Sequence, residues 1–439
     1  MPALLLLSTA GCTMTGDDVG EATKTGDGTL VSASGAGLAA TDATRALAAA
    51  GYSDPYLGVE PTGELHEFEF WVDEEFVHEP YEGMQLWGFA FTTDPDEPGT
   101  VPGPEIRVTQ GDTVRVTLHD RAGLFPGHTI HWHGVDVPWK SDGVPFVTQD
   151  VTPKDQDGTY TYEFVARQAG TYWYHCVMEF PAHIDAGMFG MLIVEPQDVE
   201  EDLPFDREET LVFHEMDSQL LLAAGWAANG NMDPDTRHLS SNPFDAAEGL
   251  QRQARIAADV AGSVTGDATG VYGTSEGPRD YFPMWSARYR PEYDTFMIDG
   301  KSYPDTEPVV IKEGETLRLR MLNAGILHKS IHLHGHHMLV THIDGYPLDH
   351  PHWEDTLNLA PGERKDVYIQ GTNAGMWSLH DHSGSSGMGP AVTNDYAFPG
   401  GMETMLVYEG FDPEGAIPPP EGNVTAGDLA VYSPRYVDR

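Results

Sequence analysis

The chain has 439 residues, which is too long for one ordinary domain and fits two or three. Hydrophobic residues make up 40% of the sequence, so the chain can bury real cores and is not intrinsically disordered. Its formal net charge of −45, from 69 acidic and 24 basic residues, argues against nucleic acid and anionic membrane surfaces as partners. Because the acidic residues are spread along the whole chain, they favour a solvated, halophilic surface over an acidic face that binds cations.

The N-terminal residues 1–55 carry a targeting pattern. Cys12 follows Gly11 at the end of a short apolar opening, as in the signal of a bacterial or archaeal lipoprotein, where this cysteine carries the lipid. No basic residue precedes the apolar stretch, so an ordinary N-terminus is the alternative. The Gly-, Thr-, Ala- and Asp-rich residues that follow predict a flexible tether. We expect an extracytoplasmic protein that is secreted or lipid-anchored at the cell surface.

An internal repeat divides the rest of the chain. Residues 106–116 and 310–319 each show a strand, a Gly-acid turn and an alternating strand. The repeat predicts two similar domains, near 60–198 and 205–412, each a Greek-key β-sandwich of short strands. The stretch from about 217 to 293 has no counterpart in the first copy and is interpreted as an insertion or long connection, and 413–439 as a C-terminal tail.

Three His-X-His triplets occupy equivalent places in the two copies. They are His131 with His133, His332 with His334, and His380 with His382. A β-strand points alternate side chains to one face, so each triplet puts two imidazoles on the same side. One such pair occurs by chance on many surfaces, but three in matching positions indicate metal binding.

The only cysteine beyond the N-terminal segment lies in a second metal-ligand pattern. Cys176 is followed by His183 and then by Met188, and His128 precedes the first triplet. Blue-copper sites use two imidazoles and a thiolate with a weak axial thioether, so these four residues predict a type 1 copper centre. With Cys12 assigned to lipid, Cys176 has no disulfide partner and is a free thiol or a metal ligand. The competing interpretation is a small buried cysteine beside a core methionine.

These motifs resemble those of the two-domain multicopper oxidases, the family of small laccases, and are similar to those of copper nitrite reductases. The resemblance covers roughly 60–412 and rests on the following segments: Val101-Pro102-Gly103-Pro104, HxxHxHG at 128–134, the Cys-His-Met loop, HLHGH at 332–336, and His380-Asp381-His382. It implies an all-β chain of two cupredoxin-like domains with the type 1 centre in the first. Asp381 stands where a second type 1 cysteine could lie, so the second domain would hold no blue copper.

The same resemblance implies a second copper cluster and about four coppers per chain when that cluster is complete. Type 2 copper would bind His131 and His332. The type 3 pair would bind His133, His175, His334, His380 and His382. Because His175 adjoins Cys176, the chain would offer a covalent electron path between the two sites. In two-domain members the cluster forms between the first domain of one subunit and the second domain of the next, which implies a homotrimer.

Two further positions affect the implied chemistry. Asp136 stands where small laccases carry a carboxylate that relays protons, although a solvated turn aspartate is an equal alternative. Val177 replaces the last histidine of the family's usual His-Cys-His, which leaves seven of eight cluster ligands. A neighbour such as His336, His337 or Glu179 could substitute; otherwise the cluster is incomplete.

The implied function is a copper oxidase. It would take electrons one at a time from a phenol, an aromatic amine or a metal ion and reduce dioxygen to water. The first alternative is a nitrite reductase that converts nitrite to nitric oxide; His131 and His334 count against it and Val177 favours it. The second alternative is a non-enzymatic blue-copper protein for electron transfer or copper sequestration.

Overall fold

The computed structural model describes residues 59–81, 84–120, 127–145, 147–148, 158–178, 181–198, 203–218, 293–383 and 400–411. The predicted signal and tether, the C-terminal tail and nearly all of the predicted insertion lie outside these residues. In the part of the chain that is described, no helix is long and apolar enough to cross a membrane.

The first domain is a sandwich of two four-stranded sheets, with strand orders β2-β1-β4-β6 and β3-β8-β7-β5. Its strands are β1 (Leu65–His78), β2 (Leu86–Thr92), β3 (Gly103–Thr109), β4 (Thr113–His119), β5 (His131–His133), β6 (Thr159–Val165), β7 (Gly170–His175) and β8 (Phe189–Glu195). A short 3-10 helix (Trp139–Ser141) follows β5, and a single-turn helix α1 (Ala182–Asp185) lies between β7 and β8.

The second domain is a sandwich of a six-stranded and a five-stranded sheet, with strand orders β10-β9-β12-β17-β14-β15 and β11-β19-β18-β13-β16. Its strands are β9 (Arg207–Met216), β10 (Thr295–Ile298), β11 (Val309–Ile311), β12 (Thr316–Asn323), β13 (Lys329–Leu333), β14 (Met338–Ile343), β15 (Tyr346–Glu354), β16 (Thr356–Leu359), β17 (Arg364–Gln370), β18 (Met376–Asp381) and β19 (Glu403–Tyr408).

The strand pairing repeats between the domains. The parallel pairs β1/β4 and β3/β8 of the first domain correspond to β9/β12 and β11/β19 of the second. Likewise, the first His-X-His strand β5 pairs antiparallel with β7, as β13 does with β18. The prediction of an all-β chain with two similar β-sandwich domains is therefore confirmed.

Each sandwich closes around its own apolar core, because its strands alternate between inward apolar and outward polar side chains. In β4, Val114, Val116 and Leu118 are fully buried while their neighbours are partly exposed. The core of the first domain continues onto Met216 and Met297 of the second, so the two domains share an apolar contact.

His78, at the end of β1, lies in that contact between the domains. Its Nε2 is 3.4 Å from the Sδ of Met297, and the residue is 5% exposed. Burial, with the charge of Lys301, lowers the pKa of His78 from 6.5 to about 4. The folded state therefore binds fewer protons than the unfolded state between these pH values, and stability falls as the pH drops through that window.

We expect His78→Leu to remove this part of the acid sensitivity. The free energy of unfolding of the copper-free protein should fall less between pH 6.5 and pH 5, by up to about 1.4 kcal/mol per pH unit. Denaturant unfolding at both pH values measures the difference, and His352→Gln, a change at an exposed histidine, is the control. If the stability of the His78 variant and that of the parent depend on pH in the same way, His78 does not contribute to the acid sensitivity of the fold.

Candidate metal centres

The loop between β7 and β8 brings three of the predicted type 1 ligands together. Cys176 directly follows β7, and its N–H donates to the carbonyl of Met188 at 3.0 Å. The N–H of Met188 in turn donates to the carbonyl of His183 at 3.0 Å. The loop therefore folds back on itself, and α1 supplies His183 from its single turn.

His128 completes this group from the other side. The Sγ of Cys176 lies 3.4 Å from Nδ1 of His183 and 4.0 Å from Nδ1 of His128. One ligand atom from each of the three lies within 4.8 Å of the others, and all three residues are buried. Met188 is also fully buried. A soft thiolate with two imidazoles and a nearby thioether is the donor set of type 1 copper, so the site is consistent with that metal.

Two buried carboxylates, which the sequence did not reveal, hold His128. Its Nε2 lies 3.0 Å from Oε1 of Glu74, and its backbone N–H donates to Oδ2 of Asp120 at 3.0 Å. Burial lowers the pKa of His128, but the hydrogen bonds with Cys176 and Glu74 and the charge of Asp120 outweigh burial and raise it well above its ordinary value. The contact with Glu74 leaves Nδ1 directed at the thiol.

A second group, the imidazole triad, consists of His131, His133 and His175. In the pairing of β5 with β7, His131 lies opposite His175, and a ligand atom from each member lies within 4.8 Å of the others. Nδ1 of His133 is 3.4 Å from Nε2 of His175. Because His175 precedes Cys176, the triad and the type 1 group meet at consecutive residues of one strand end.

Hydrogen bonds orient two members of the triad. Nδ1 of His131 donates to the carbonyl of Asp142 at 2.7 Å, and Nδ1 of His175 donates to the carbonyl of Cys176 at 2.9 Å. A ring nitrogen that donates to a carbonyl carries the proton, so in both residues Nε2 presents its lone pair. This is the tautomer that a metal bound through Nε2 requires.

Burial and nearby charge keep two members of the triad, His133 and His175, uncharged. Burial, with the charge of Arg364, lowers the pKa of His133 to about 3. Burial also lowers the pKa of His175 to about 3. Both rings are therefore neutral at pH 7, so no proton competes with a metal for their lone pairs.

A third group, the imidazole tetrad, lies in the second domain. It consists of His332, His334, His380 and His382, from β13, β18 and the residues that follow them. The ring centroids of His332 and His334 are 4.9 Å apart, and those of His380 and His382 are 5.4 Å apart. Nε2 of His334 is 3.3 Å from Nε2 of His380. His334 and His382 are exposed, so the tetrad opens to the surface of the chain.

Comparison with known proteins identifies this arrangement. Multicopper oxidase family models match residues 98–199 and 275–393. A blue copper oxidase from Nitrosomonas europaea is 30% identical; the superposition covers 86% of this chain and 95% of that one, with a TM-score of 0.57. The chain belongs to the multicopper oxidase family. The predicted resemblance to multicopper oxidases is confirmed. The prediction that the chain is a laccase-like oxidoreductase of this family is confirmed as well.

Two other relatives of this multicopper oxidase bear on its alternatives. A putative laccase-1 from Oryza sativa subsp. japonica is 28% identical over 277 residues, which are 62% of this chain and 38% of the laccase. The chain spans less than half the length of the curated relatives it matches. A copper nitrite reductase from Nitrosomonas europaea shares the fold at 20% identity and a TM-score of 0.51, over 80% of this chain and 96% of that one.

The remaining predicted residues of the oxidase take different places. Asp136 is exposed, and its backbone N–H donates to Oε1 of Gln168 at 2.8 Å. Within the described part of the chain its carboxylate contacts no member of the triad, so its role as a proton relay stays a prediction. Asp381 accepts backbone N–H groups from Ser330 at 2.7 Å and from Ser383 at 2.9 Å, which is a structural use of this carboxylate.

Val177, at the position where the family resemblance implies an eighth cluster ligand, is half-buried. The N–H of Val177 lies 3.4 Å from Oγ1 of Thr129. Of the suggested substitutes, His336 directs Nε2 to the hydroxyl of Tyr408 at 2.7 Å and Nδ1 to the carbonyl of His334 at 3.2 Å. His337 is exposed, and Glu179 lies outside the described residues. Since both nitrogens of His336 are engaged, it is a poor candidate for an eighth ligand.

Proposed function

We propose that this multicopper oxidase takes single electrons from a small phenolic, aromatic amine or metal-ion donor and reduces dioxygen to water. The observation that carries the proposal is the adjacency of Cys176, in the type 1 group, and His175, in the triad. When bound, copper would supply one-electron redox chemistry at the first group and multi-electron reduction of dioxygen at the second. The chain supplies the covalent link between them and keeps the imidazoles of His133 and His175 neutral.

We assign the type 1 copper to His128, Cys176, His183 and Met188. The type 2 copper is assigned to His131 and His332, and the type 3 pair to the five other imidazoles of the triad and tetrad. In the described part of the chain, no ring contact or hydrogen bond joins the triad to the tetrad. A single chain therefore offers two half-sites, and the exposure of His334 and His382 supports a second subunit as the missing half.

We propose a homotrimer, the assembly that the resemblance to two-domain multicopper oxidases implies, and this division into half-sites supports it. Each cluster would combine the triad of one subunit with the tetrad of the next, and three such contacts close a ring. The resulting cluster has seven imidazoles, because Val177 stands at the eighth position. The same valine is the observation that favours nitrite reduction, since a cluster that holds a single copper would suffice for that reaction.

Copper content measured together with substrate turnover tests the function. The purified protein, assayed in high salt, should bind three to four coppers per chain and consume oxygen with a phenolic donor. Two coppers per chain with nitrite turnover would identify a nitrite reductase. A blue protein without either activity would leave electron transfer or copper storage, and a colourless copper-free protein would contradict all three.

The variant Val177→His should complete the cluster. A histidine there adds the eighth imidazole, so we expect up to one more copper per chain and no change in the blue absorption of the type 1 centre. Metal analysis of the purified variant measures the gain, and Val177→Ile is the control that adds bulk without a ligand. Equal copper content in both variants would mean that position 177 does not face the cluster.

We further propose an extracytoplasmic location, a lipid anchor at Cys12 and a surface adapted to high salt. The net charge of −45 supports the last of these, because salt screens repulsion between the acidic side chains. Fractionation of cells that produce the protein or its Cys12→Ser variant tests the anchor. We expect the parent protein with the membranes and the variant in the medium.

A further inference from the structure

We infer that Glu74 is a positioning residue that lowers the reduction potential of the type 1 centre through His128. The inference rests on the proposed type 1 assignment and adds a residue that is not a copper ligand. It concerns the balance between the two oxidation states of the bound copper, and so the class of donors that can reduce it.

A single imidazole ring, that of His128, connects Glu74 to the type 1 centre. The carboxylate oxygen Oε1 lies 3.0 Å from Nε2 of His128, and Nδ1 of the same ring faces Sγ of Cys176 at 4.0 Å. His128 is 0% exposed and Glu74 9% exposed, so water screens this contact little. If Nδ1 binds copper, Nε2 must carry the ring proton and donate it to the carboxylate.

The position of Glu74 in β1 is unusual for a carboxylate. The inward side chains on either side of Glu74 in this strand are apolar and buried. They are Phe70 and Val72 before it and Phe76 after it. The pairing of β1 with β2 shifts register between Asp73 and Phe76, so Glu74 lies in a β-bulge. Bulges re-aim side chains next to functional sites, and a buried carboxylate is costly to the fold unless it is paired. An apolar residue would suit packing better, which points to a role at the metal.

The expected effect follows from charge. A carboxylate that accepts the imidazole proton makes the ring a stronger donor, and a stronger donor favours Cu(II) over Cu(I). A second carboxylate also contacts His128. Asp120 accepts the backbone N–H of His128 and adds negative charge on the same side. Both groups lower the potential of the centre.

Glu74→Gln separates charge from shape. The amide oxygen still accepts the proton of Nε2, but the negative charge is gone. We expect the affinity for Cu(II) to fall about tenfold relative to Cu(I), which raises the potential by about 59 mV. Glu74→Asp keeps the charge but shortens the side chain, so its potential should lie between those of the parent and the Gln variant.

A redox titration of the blue absorption in the full-chain, copper-loaded protein tests the inference. The matched control is Glu69→Gln, which removes a carboxylate that contacts His119 from the same strand but has no link to a copper ligand. A higher potential in Glu74→Gln, with the blue colour kept and the control unchanged, supports the role. An unchanged potential in a blue Glu74→Gln protein would overturn it.

Two further outcomes remain decisive. If Glu74→Gln loses the blue colour, the potential of Glu74→Asp decides; a value equal to that of the parent overturns the inference, and a raised value supports it. A parent protein that is not blue would contradict the type 1 assignment itself, and with it the inference. A blue parent that consumes no oxygen would contradict only the proposed function, since the titration does not depend on turnover.

Discussion

Replacing Cys176 by serine is expected to abolish the blue absorption and to remove one copper per chain. The thiolate is the soft, charged ligand of the predicted centre, and a neutral hydroxyl is a poor substitute for it. Donor-dependent oxygen uptake should fall by more than about 100-fold, because changes outside the ligand shell alone already cost 10- to 100-fold. Visible absorption, metal analysis and oxygen uptake measure the three effects.

The control for this variant is Met188→Leu, a change of similar volume in the same loop. A thioether at the axial position binds weakly, so its loss should shift the potential but keep both the copper and the colour. The backbone contact between Cys176 and Met188 does not depend on either side chain. A Cys176→Ser protein that stays blue would refute the type 1 assignment outright.

The second large effect is the recovery of oxygen reduction when two inactive variants assemble together. We expect a triad variant, His131→Ala with His133→Ala, to lose oxygen reduction, and a tetrad variant, His332→Ala with His334→Ala, to lose it as well. When the two are co-expressed in equal amounts, some clusters draw an intact triad from one chain and an intact tetrad from the other. Random assembly of a ring should restore about a quarter of the parental activity.

This recovery is specific to a cluster that two chains share. A cluster within one chain would always contain one defective half, so the mixture would stay inactive. The control is a mixture of the triad variant with Cys176→Ser. Every intact triad in this mixture belongs to a chain that lacks its blue copper, which turnover requires. We therefore expect this mixture to stay inactive. Mixed trimers without recovered activity would contradict the proposed assembly.

Much of the fold follows from sequence because its signals are local and periodic. Alternation in strands such as β4 reflects one buried face, and the repeat shows that the pattern occurs twice. The His-X-His triplets and the Cys176–Met188 loop needed no long-range information, because neighbouring positions on a strand or a short loop are necessarily close. The two sandwiches appear in the structure as these patterns predict. The structure also brings the members of each histidine group close together.

The residues that support the ligands could not be predicted in the same way. Glu74 is 54 residues from His128 in sequence, and no local pattern pairs them. Its one signal is a charged residue among the apolar inward positions of an alternating strand, which is recognisable once the inward face of that strand is known. The carbonyl of Asp142 that orients His131 leaves no trace in the sequence, because every residue carries a carbonyl. The way in which the triad of one chain would meet the tetrad of another also leaves no local pattern in the sequence.

Anomalous diffraction at the copper absorption edge, from crystals of the copper-loaded protein, tests the central claim most directly. We predict one peak among His128, Cys176 and His183, and further peaks where the triad of one subunit meets the tetrad of the next. The difference between data collected above and below the edge distinguishes copper from other metals. A map without a copper peak beside Cys176, or with the cluster peaks bound by a single chain, would contradict this account.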